Sequence, residues 1–230
     1  MEAEIKYDKA LEQQETTTEN QTSSSTKRQD QSDEQENEEH TGEQETTRPA
    51  CFTDAAFPQP APPDPCVAGI GIRICNSSGP IALAIEVQAK AHQVTTPLQA
   101  EGLTLLLASR INAILNPAGV SYRTDSSILA STLTRNNFAV KPGHWRLRPL
   151  LYEFRANTAG TAGTTTVVHK IPRNSNSPAH GLAQKAIRSP QHSNCIFTCS
   201  HLAHGNQCPV IEAFAHVNWG SFTPIAVNCR

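Results

Sequence analysis

The chain has 230 residues, with 21 acidic and 19 basic side chains and a formal net charge of −2. This length accommodates one domain with tails, or two small domains. No stretch approaches the roughly 20 apolar residues of a membrane span, and the N-terminus lacks the basic and apolar regions of a signal peptide. The sequence therefore predicts an intracellular protein that does not bind a membrane.

The first fifty residues differ in composition from the rest. They hold 14 of the acids and 5 of the bases, and they contain no Trp, Phe, Val or Cys. Because so little apolar surface cannot offset chain entropy, residues 1–50 are predicted to be a disordered Gln/Glu/Ser/Thr-rich tail. The other 7 acids and 14 bases leave a basic body. Such a body is as typical of a polyanion-binding protein as of an ordinary domain beside a solubility tail.

Beyond the tail, the predicted elements begin with strands. The sequence "CFTDAAF", residues 51–57, is typical of a short strand, and the proline-rich "PQPAPPDP" that follows is a linker. A hairpin is predicted next, with arms at 67–75 and 81–90 and a turn between them. A hairpin needs a further strand or a helix to be stable, and 51–57 is the obvious neighbour.

Helices and strands alternate in the later part of the chain. A long helix is predicted from Pro97 to about Leu115, because proline is tolerated in a first turn and apolar residues recur at helical spacing. The same criteria predict a strand over 120–125 and a helix beginning at Ser126 or Ser127. A helix over 144–157, interrupted or restarted at Pro149, comes next. A strand over 164–171 and a helix over 177–188, capped by Ser177, complete the predicted domain. This order predicts an α/β fold with a mixed sheet, antiparallel on one side and parallel on the other.

Three acids of this basic body occupy informative positions. Asp54 lies on the first strand, Glu101 in the first turn of the long helix, and Asp125 at the carboxyl end of the 120–125 strand. Ligands of open α/β sheets collect outside the carboxyl ends of strands. Carboxylates gathered there would repel one another unless a cation joined them, and oxygen ligands suit a pair of Mg²⁺ ions that cleaves phosphodiesters. Taken singly, each acid is also typical of a cap, a surface charge or a salt-bridge partner.

Four segments together resemble the ribonuclease H type 1 domain, specifically its branch in plant non-LTR retrotransposons. They are "FTDAAF" before a Gly-rich hairpin, "LQAEGLTLLLA" at the start of a long helix, "YRTDSSILASTL", and "IPRNSNSPAHGLAQKA". The resemblance runs from about Cys51 to Arg188. It implies a five-stranded mixed sheet flanked by helices, a ribonuclease H-like domain over 51–188, and an extension over 189–230.

The resemblance implies a metal-dependent endonuclease. It places Asp54, Glu101 and Asp125 on the first three acids of a site for two Mg²⁺ or Mn²⁺ ions. The fourth acid falls on His180, as it frequently does in the plant branch, and an imidazole suits transition metals better than Mg²⁺, which puts occupancy of the second ion position in doubt. The implied reaction is hydrolysis of the RNA strand of an RNA–DNA hybrid, leaving a 3′-hydroxyl and a 5′-phosphate. The alternative is a catalytically lapsed, retrotransposon-derived module that only binds nucleic acid.

The family recognises hybrids by backbone shape and 2′-hydroxyl groups rather than by sequence. The candidate nucleic-acid contacts are accordingly basic and polar residues late in the domain: Lys141, His144, Arg146, Arg148, Lys170, Arg173 and Asn176. Asn176 is also expected to hold the last loop in place. Trp145 offers a stacking surface, although core packing is its more ordinary role. The family's mobile-loop His falls on Lys170, and His169, one residue out of register, is interpreted as a polar strand-end residue.

Residues 189–230 lie beyond the resemblance. Five of their side chains suggest zinc: Cys195, Cys199, His201, His204 and Cys208. The spacing lacks paired C-x₂-C knuckles, so ordinary thiols are favoured over a zinc-stabilised interaction module. Seven cysteines without a secretion signal also argue against a disulfide framework. The segment 210–222 is predicted to be a short strand or helix packed on the domain, or a loosely ordered tail.

Overall fold

The computed structural model describes residues 49–58, 66–76, 83–115, 119–134, 147–159, 167–190, 196–199 and 208–229. Its strands are β1 (Ala50–Ala56), β2 (Cys66–Asn76), β3 (Leu83–Val94), β4 (Ser121–Thr124), β5 (Val167–Lys170), β6 (Ile196–Cys199) and β7 (Ser221–Cys229). Its helices are α1 (Pro97–Leu115), α2 (Ser127–Thr134), α3 (Leu147–Thr158), α4 (Ser177–Arg188) and α5 (Pro209–Ala215), and a 3₁₀ turn (Arg173–Asn176) precedes α4. None of these helices is long and apolar enough to cross a lipid bilayer.

The strands described form one mixed sheet in the order β5-β4-β1-β2-β3-β7-β6. β2 pairs antiparallel with both β1 and β3, and β7 pairs antiparallel with β3. On the other side of β1, strands β4 and β5 run parallel to it. The predicted α/β class, with an antiparallel meander beside parallel strands, is therefore confirmed. Five of the strands are the predicted ones, and β6 and β7 extend the sheet beyond them.

Two local expectations about the helices were wrong. Pro149 does not interrupt α3, because it is the third residue of the helix, where a proline removes no intrahelical hydrogen bond. Ser177 does not cap α4 but is its first residue, and Asn176 takes the cap position without a side-chain capping bond. The Asn176 amide instead donates from Nδ2 to the carbonyl oxygen of Thr53, at 2.9 Å.

Helix α1 is buried on almost every side. Its middle carries a run of side chains that are each at most 2% exposed: Leu103, Leu105, Leu106, Leu107 and Ile111. The sheet contacts one side of this helix, and α3 and α5 contact the others. A single apolar stripe was predicted, but buried residues occur on nearly all sides of the helix, as expected of a helix in the centre of a core.

The C-terminal segment joins the same sheet. β7 pairs with β3 from Ile85 opposite Cys229 to His92 opposite Ser221, and β6 lies parallel to β7. The segment 210–222 thus contains most of α5 and the start of β7, and it packs on the core. The predicted domain limits at residues 50 and 188 stay a prediction.

Two predictions fall partly or wholly outside the described residues. Nearly all of the N-terminal tail, residues 1–48, is outside them, so its predicted disorder stays a prediction. The zinc hypothesis also stays a prediction, because Cys195, His201 and His204 lie in ranges that are not described.

Candidate metal centre

Three acids from three different elements converge at one end of the sheet. Asp54 lies within β1, Asp125 directly follows β4, and Glu101 is the fifth residue of α1, just past the predicted first turn. One carboxylate oxygen of each acid lies within 4.8 Å of those of the other two. The sequence prediction that these side chains meet is therefore matched by their positions.

The pairing of β1 with β4 brings the two aspartates together. These neighbouring strands are parallel, with Phe52 opposite Arg123, so that the residues two positions later, Asp54 and Asp125, emerge side by side. The Thr53 hydroxyl donates to the carbonyl oxygen of Arg123 at 3.3 Å and ties the strands together just before the two acids.

Two hydrogen bonds shape the turn that carries Asp125. The Ser126 N–H donates to Thr124 Oγ1 at 3.1 Å, and the Leu129 N–H approaches Ser126 Oγ at 3.5 Å. The second contact is an N-cap of α2, and it confirms one of the two predicted cap residues. Asp125 is thus held between a strand end and a helix start.

One backbone group links Glu101 to Asp54. The Ala55 N–H donates to Asp54 Oδ1 at 2.8 Å and to Glu101 Oε1 at 3.2 Å. The other oxygen of Glu101, Oε2, is buried and has no hydrogen-bond partner among the described residues. A buried carboxylate oxygen without a partner is costly, and this one lies in the acidic cluster.

Burial and mutual repulsion make it costly to ionise this cluster. Burial raises the pKa of Glu101 well above its ordinary value, and the charges of Asp54 and Asp125 raise it further. Burial also raises the pKa of Asp54, followed by the charge of Asp125, while the contact with His180 opposes the rise. A cation placed between the three carboxylates would remove this repulsion.

His180, in α4, also contacts the cluster. Its Nδ1 lies 2.6 Å from Asp54 Oδ2, and its side chain is 33% exposed whereas that of Asp54 is 4% exposed. Helix α4 comes this close because Gly71 is the partner of Asp54 in β2. A Cβ at Gly71 would overlap the backbone of α4 at Ala179 and Ala183.

The donor set fits a hard divalent cation. Three carboxylates offer oxygen ligands, which Mg²⁺ and Mn²⁺ accept. Glu101 Oε2 is a buried oxygen that lacks a partner among the described residues and would gain one.

The candidate nucleic-acid contacts are spread over several elements. Lys170 and Arg173 are exposed at the end of β5 and in the 3₁₀ turn, and the Ile171 N–H between them donates to the carbonyl oxygen of Thr124 at 2.9 Å. Arg148 is half-buried near the start of α3. The remaining basic candidates, together with Trp145, lie outside the described residues: Lys141, His144 and Arg146.

Two other candidates have well-defined surroundings. Asn176 is fully buried, and it donates a hydrogen bond to Thr53, the residue before Asp54. This geometry suits the expected role of holding the last loop. His169 is half-buried in β5, opposite Arg123 of β4.

Sequence reasoning missed three residues that build the site. The Ala55 N–H and the Thr124 hydroxyl act through hydrogen bonds that composition does not reveal. Gly71 was detectable in principle, because Gly69 and Gly71 alternate along one strand and so leave one face of the sheet without side chains.

No protein-family model matches the chain, and no curated protein matches it. Solved structures do. The match to RNase H1 of the halophilic archaeon Halobacterium salinarum NRC-1 has 24% identity and a TM-score of 0.51, and it covers 61% of this chain and 97% of that one. The N-terminal RNase H domain of a Mycobacterium tuberculosis protein, solved as a fusion with maltose-binding protein, has 19% identity and a TM-score of 0.50, with 60% and 98% covered.

The chain has the ribonuclease H-like fold. A further match, LC9-RNase H1, is described as a type 1 RNase H with the type 2 active-site motif, and it shares 19% identity at a TM-score of 0.50 over 61% of this chain and 72% of that one. At these identities the likeness is one of fold, so the chemistry has to be argued from the residues of this chain.

Proposed function

We propose that this chain is a nucleic-acid-binding hydrolase that cuts the RNA strand of an RNA–DNA hybrid with the help of divalent cations. The observation that carries the proposal is the convergence of Asp54, Glu101 and Asp125 within 4.8 Å on a ribonuclease H-like fold. The resemblance of the "FTDAAF" and "YRTDSSILASTL" segments to the plant retrotransposon branch of that family also supports it.

Asp54, Glu101 and Asp125 would hold the cation, which we take to be Mg²⁺ or Mn²⁺. A divalent cation bound there would acidify a water molecule and offset the negative charge that accumulates on the phosphate. Glu101 would contribute Oε2, its buried and unpartnered oxygen. The Ala55 N–H would keep the two carboxylates it contacts in a fixed orientation.

Basic side chains near the acidic cluster would hold the substrate backbone. Lys170, the last residue of β5, lies opposite Thr124, the neighbour of Asp125, and Arg173 follows three residues later in the 3₁₀ turn. Leu147, the neighbour of Arg148, packs near Gly102, the neighbour of Glu101. Phosphates on either side of the scissile bond would bind these side chains, with an attraction that salt weakens. The scissile phosphate would then lie over the acids.

The proposed reaction is an in-line displacement at phosphorus. A bond forms between the oxygen of water and phosphorus, and the bond from phosphorus to the 3′ oxygen of the preceding nucleotide breaks. The leaving oxygen takes up a proton, so that the products are a 3′-hydroxyl and a 5′-phosphate. Three carboxylates close together would orient the attacking water by accepting its hydrogen bonds.

A second function is favoured by one observation, the contact between His180 and Asp54. Because His180 stands where the family places a fourth acid, the site is short of one negative charge. The second candidate is therefore a retrotransposon-derived module that binds nucleic acid without cutting it. Both candidates are intracellular, where RNA–DNA hybrids arise, and secretion of the full-length chain would contradict both.

A cleavage assay separates the two candidates. The full chain is incubated with an end-labelled RNA–DNA hybrid in Mg²⁺, in Mn²⁺ and in excess chelator, beside an Asp125→Asn variant. Glu212→Gln is the matched control, because it removes the same charge at an exposed position in α5. The hydrolase hypothesis predicts metal-dependent cleavage by the wild type and the control, and a loss of at least about a hundredfold in Asp125→Asn.

The outcomes are distinct. Salt-sensitive binding of the hybrid without cleavage in either metal would support the binding module and contradict the hydrolase hypothesis. Equal cleavage by Asp125→Asn and the wild type would show that the acidic cluster is not the active site. Absence of both cleavage and binding would contradict both candidates.

A further inference from the structure

Both carboxylate oxygens of Asp54 already have partners supplied by the chain. Oδ1 accepts the Ala55 N–H at 2.8 Å, and Oδ2 lies 2.6 Å from His180 Nδ1. In a site for two cations about 3.5–4 Å apart, a carboxylate spans them with one oxygen toward each. A carboxylate oxygen that accepts one hydrogen bond keeps a second lone pair, so Oδ1 can still bind a cation. On the Oδ2 side, a second cation would compete for space with the imidazole.

The chain fixes helix α4, which carries His180, close to Asp54. Helix α4 lies directly against β2, because Gly69 and Gly71 leave no side chains between them. Asn176, fully buried, fixes the start of that helix to Thr53 through a 2.9 Å hydrogen bond. Moving the imidazole away from Asp54 would therefore require α4 or the side-chain torsions of His180 to change.

The other oxygens suited to a cation belong to Glu101 and Asp125. Glu101 Oε2 is buried and lacks a partner among the described residues, and Asp125 lies within the same 4.8 Å cluster. Among the described residues, no fourth carboxylate joins this cluster. One cation position is thus well supplied with oxygens, and the second is not.

We propose that this site binds a single divalent cation, held by Asp54, Glu101 and Asp125, and that the His180 imidazole takes the place of a second one. The proposal rests on the proposed function only for the location of the site. It assigns His180 as a residue that positions Asp54 and fixes the number of ions, and not as a metal ligand.

The test counts ions rather than product. Mn²⁺ is titrated into the metal-free full chain, free Mn²⁺ is followed by electron paramagnetic resonance, and bound ions per chain are obtained from the difference. Two variants accompany the wild type: His180→Asp, which supplies a fourth carboxylate, and His180→Asn, which keeps a polar side chain but removes the imidazole. Pulsed resonance on the bound Mn²⁺ reports whether an imidazole nitrogen is coordinated.

The proposal expects about one ion in the wild type and in His180→Asn, about two in His180→Asp, and no coordinated imidazole nitrogen. Two ions in the wild type would overturn it, as would none, or a nitrogen ligand that is lost in His180→Asn. One ion in His180→Asp would show that the missing carboxylate does not set the number, and would also overturn it. Cleavage of the hybrid is scored separately, so a wild type that binds one ion and cuts nothing would contradict the proposed function and leave this inference standing.

Discussion

Asp54 and Glu101 share one hydrogen-bond donor, the backbone N–H of Ala55, which lies 2.8 Å from Asp54 Oδ1 and 3.2 Å from Glu101 Oε1. The two carboxylates come from a strand and a helix, and a single N–H cannot balance two negative charges. Burial and the neighbouring acids therefore raise the pKa of both groups. In the metal-free protein this arrangement costs stability, which leads to the first prediction.

Glu101→Gln is expected to stabilise the metal-free chain and to abolish stabilisation by Mg²⁺ or Mn²⁺. A carboxyl whose pKa is raised on folding has no ionisation cost below its unfolded pKa of about 4, and the cost grows as pH rises above that value. At neutral pH the variant lacks this cost, so its Tm should rise, by about 2–4 °C for each kcal/mol gained. Thermal unfolding with and without metal measures both effects.

The control for this prediction is Glu212→Gln, in an exposed glutamate of α5. It should leave Tm and the metal-induced increase unchanged. A wild-type Tm that does not respond to either metal, or a Glu101→Gln variant that still responds, would contradict the assignment of Glu101 as a ligand.

Gly71→Ala is expected to destabilise the protein and to weaken metal binding, because the added methyl group would collide with the α4 backbone. Overpacking of a tight interface typically costs about 1–3 kcal/mol. The matched control is Gly181→Ala, in α4 itself, where an added Cβ meets nothing within 4 Å. That change should stabilise the chain by about 0.5–1 kcal/mol, since alanine favours helix. Urea unfolding of both variants decides the matter, and effects of the same sign would show that α4 does not pack on Gly71 as described.

Asn176→Ala is expected to lower the free energy of unfolding by about 1–3 kcal/mol, because it leaves the buried Thr53 carbonyl oxygen without its donor. Asn174→Ala, two residues earlier in an exposed position, should change it by less than about 0.5 kcal/mol. Chemical unfolding gives both values. If Asn176→Ala were as mild as Asn174→Ala, the loop before α4 would not depend on this contact.

Val227→Ala is expected to lower the free energy of unfolding by about 1–3 kcal/mol, because Val227 is 1% exposed in β7 and lies opposite Val87 of β3.

Removal of residues 189–230 is expected to destabilise the chain more than Val227→Ala and to abolish cooperative unfolding, since it uncovers both β3 and α1. Circular dichroism during urea unfolding measures both effects. A truncated chain that unfolds as cooperatively as the full one would show that the last strands are not part of the core.

The sequence predicted well those features that depend on local pattern. Helix α1 begins and ends where Pro97 and the following apolar residues indicated, and the three acids converge because each lies at a position that the sheet topology brings to the same end. The capping of α4 was predicted wrongly for a tertiary reason. Ser177 has the right chemistry for a cap, but the cap position is taken by Asn176, whose side-chain amide donates to Thr53 of β1. The helix therefore begins one residue earlier than the capping rule indicated.

The C-terminal strand could not be predicted with the same rules. Proline is normally excluded from the interior of a sheet because it cannot donate a hydrogen bond, and Pro224 lies in the middle of β7. The structure accommodates it at an irregularity, where Gln88 pairs with Ala226 but Ala89 pairs with Pro224. A bulge of this kind depends on the partner strand, so no property of the segment alone reveals it.

The placement of β7 beside β3 has a consequence for biosynthesis. The hairpin of β2 and β3 leaves the ribosome early, yet Glu86 finds its partner only when Asn228 has been made. Throughout the intervening translation, the outer edge of β3 presents unpaired peptide groups, and such edges invite association between neighbouring polypeptides. Cellular yield of this protein should therefore depend on how soon β7 is synthesised after β3, and on chaperones that shield the nascent chain until the two strands pair.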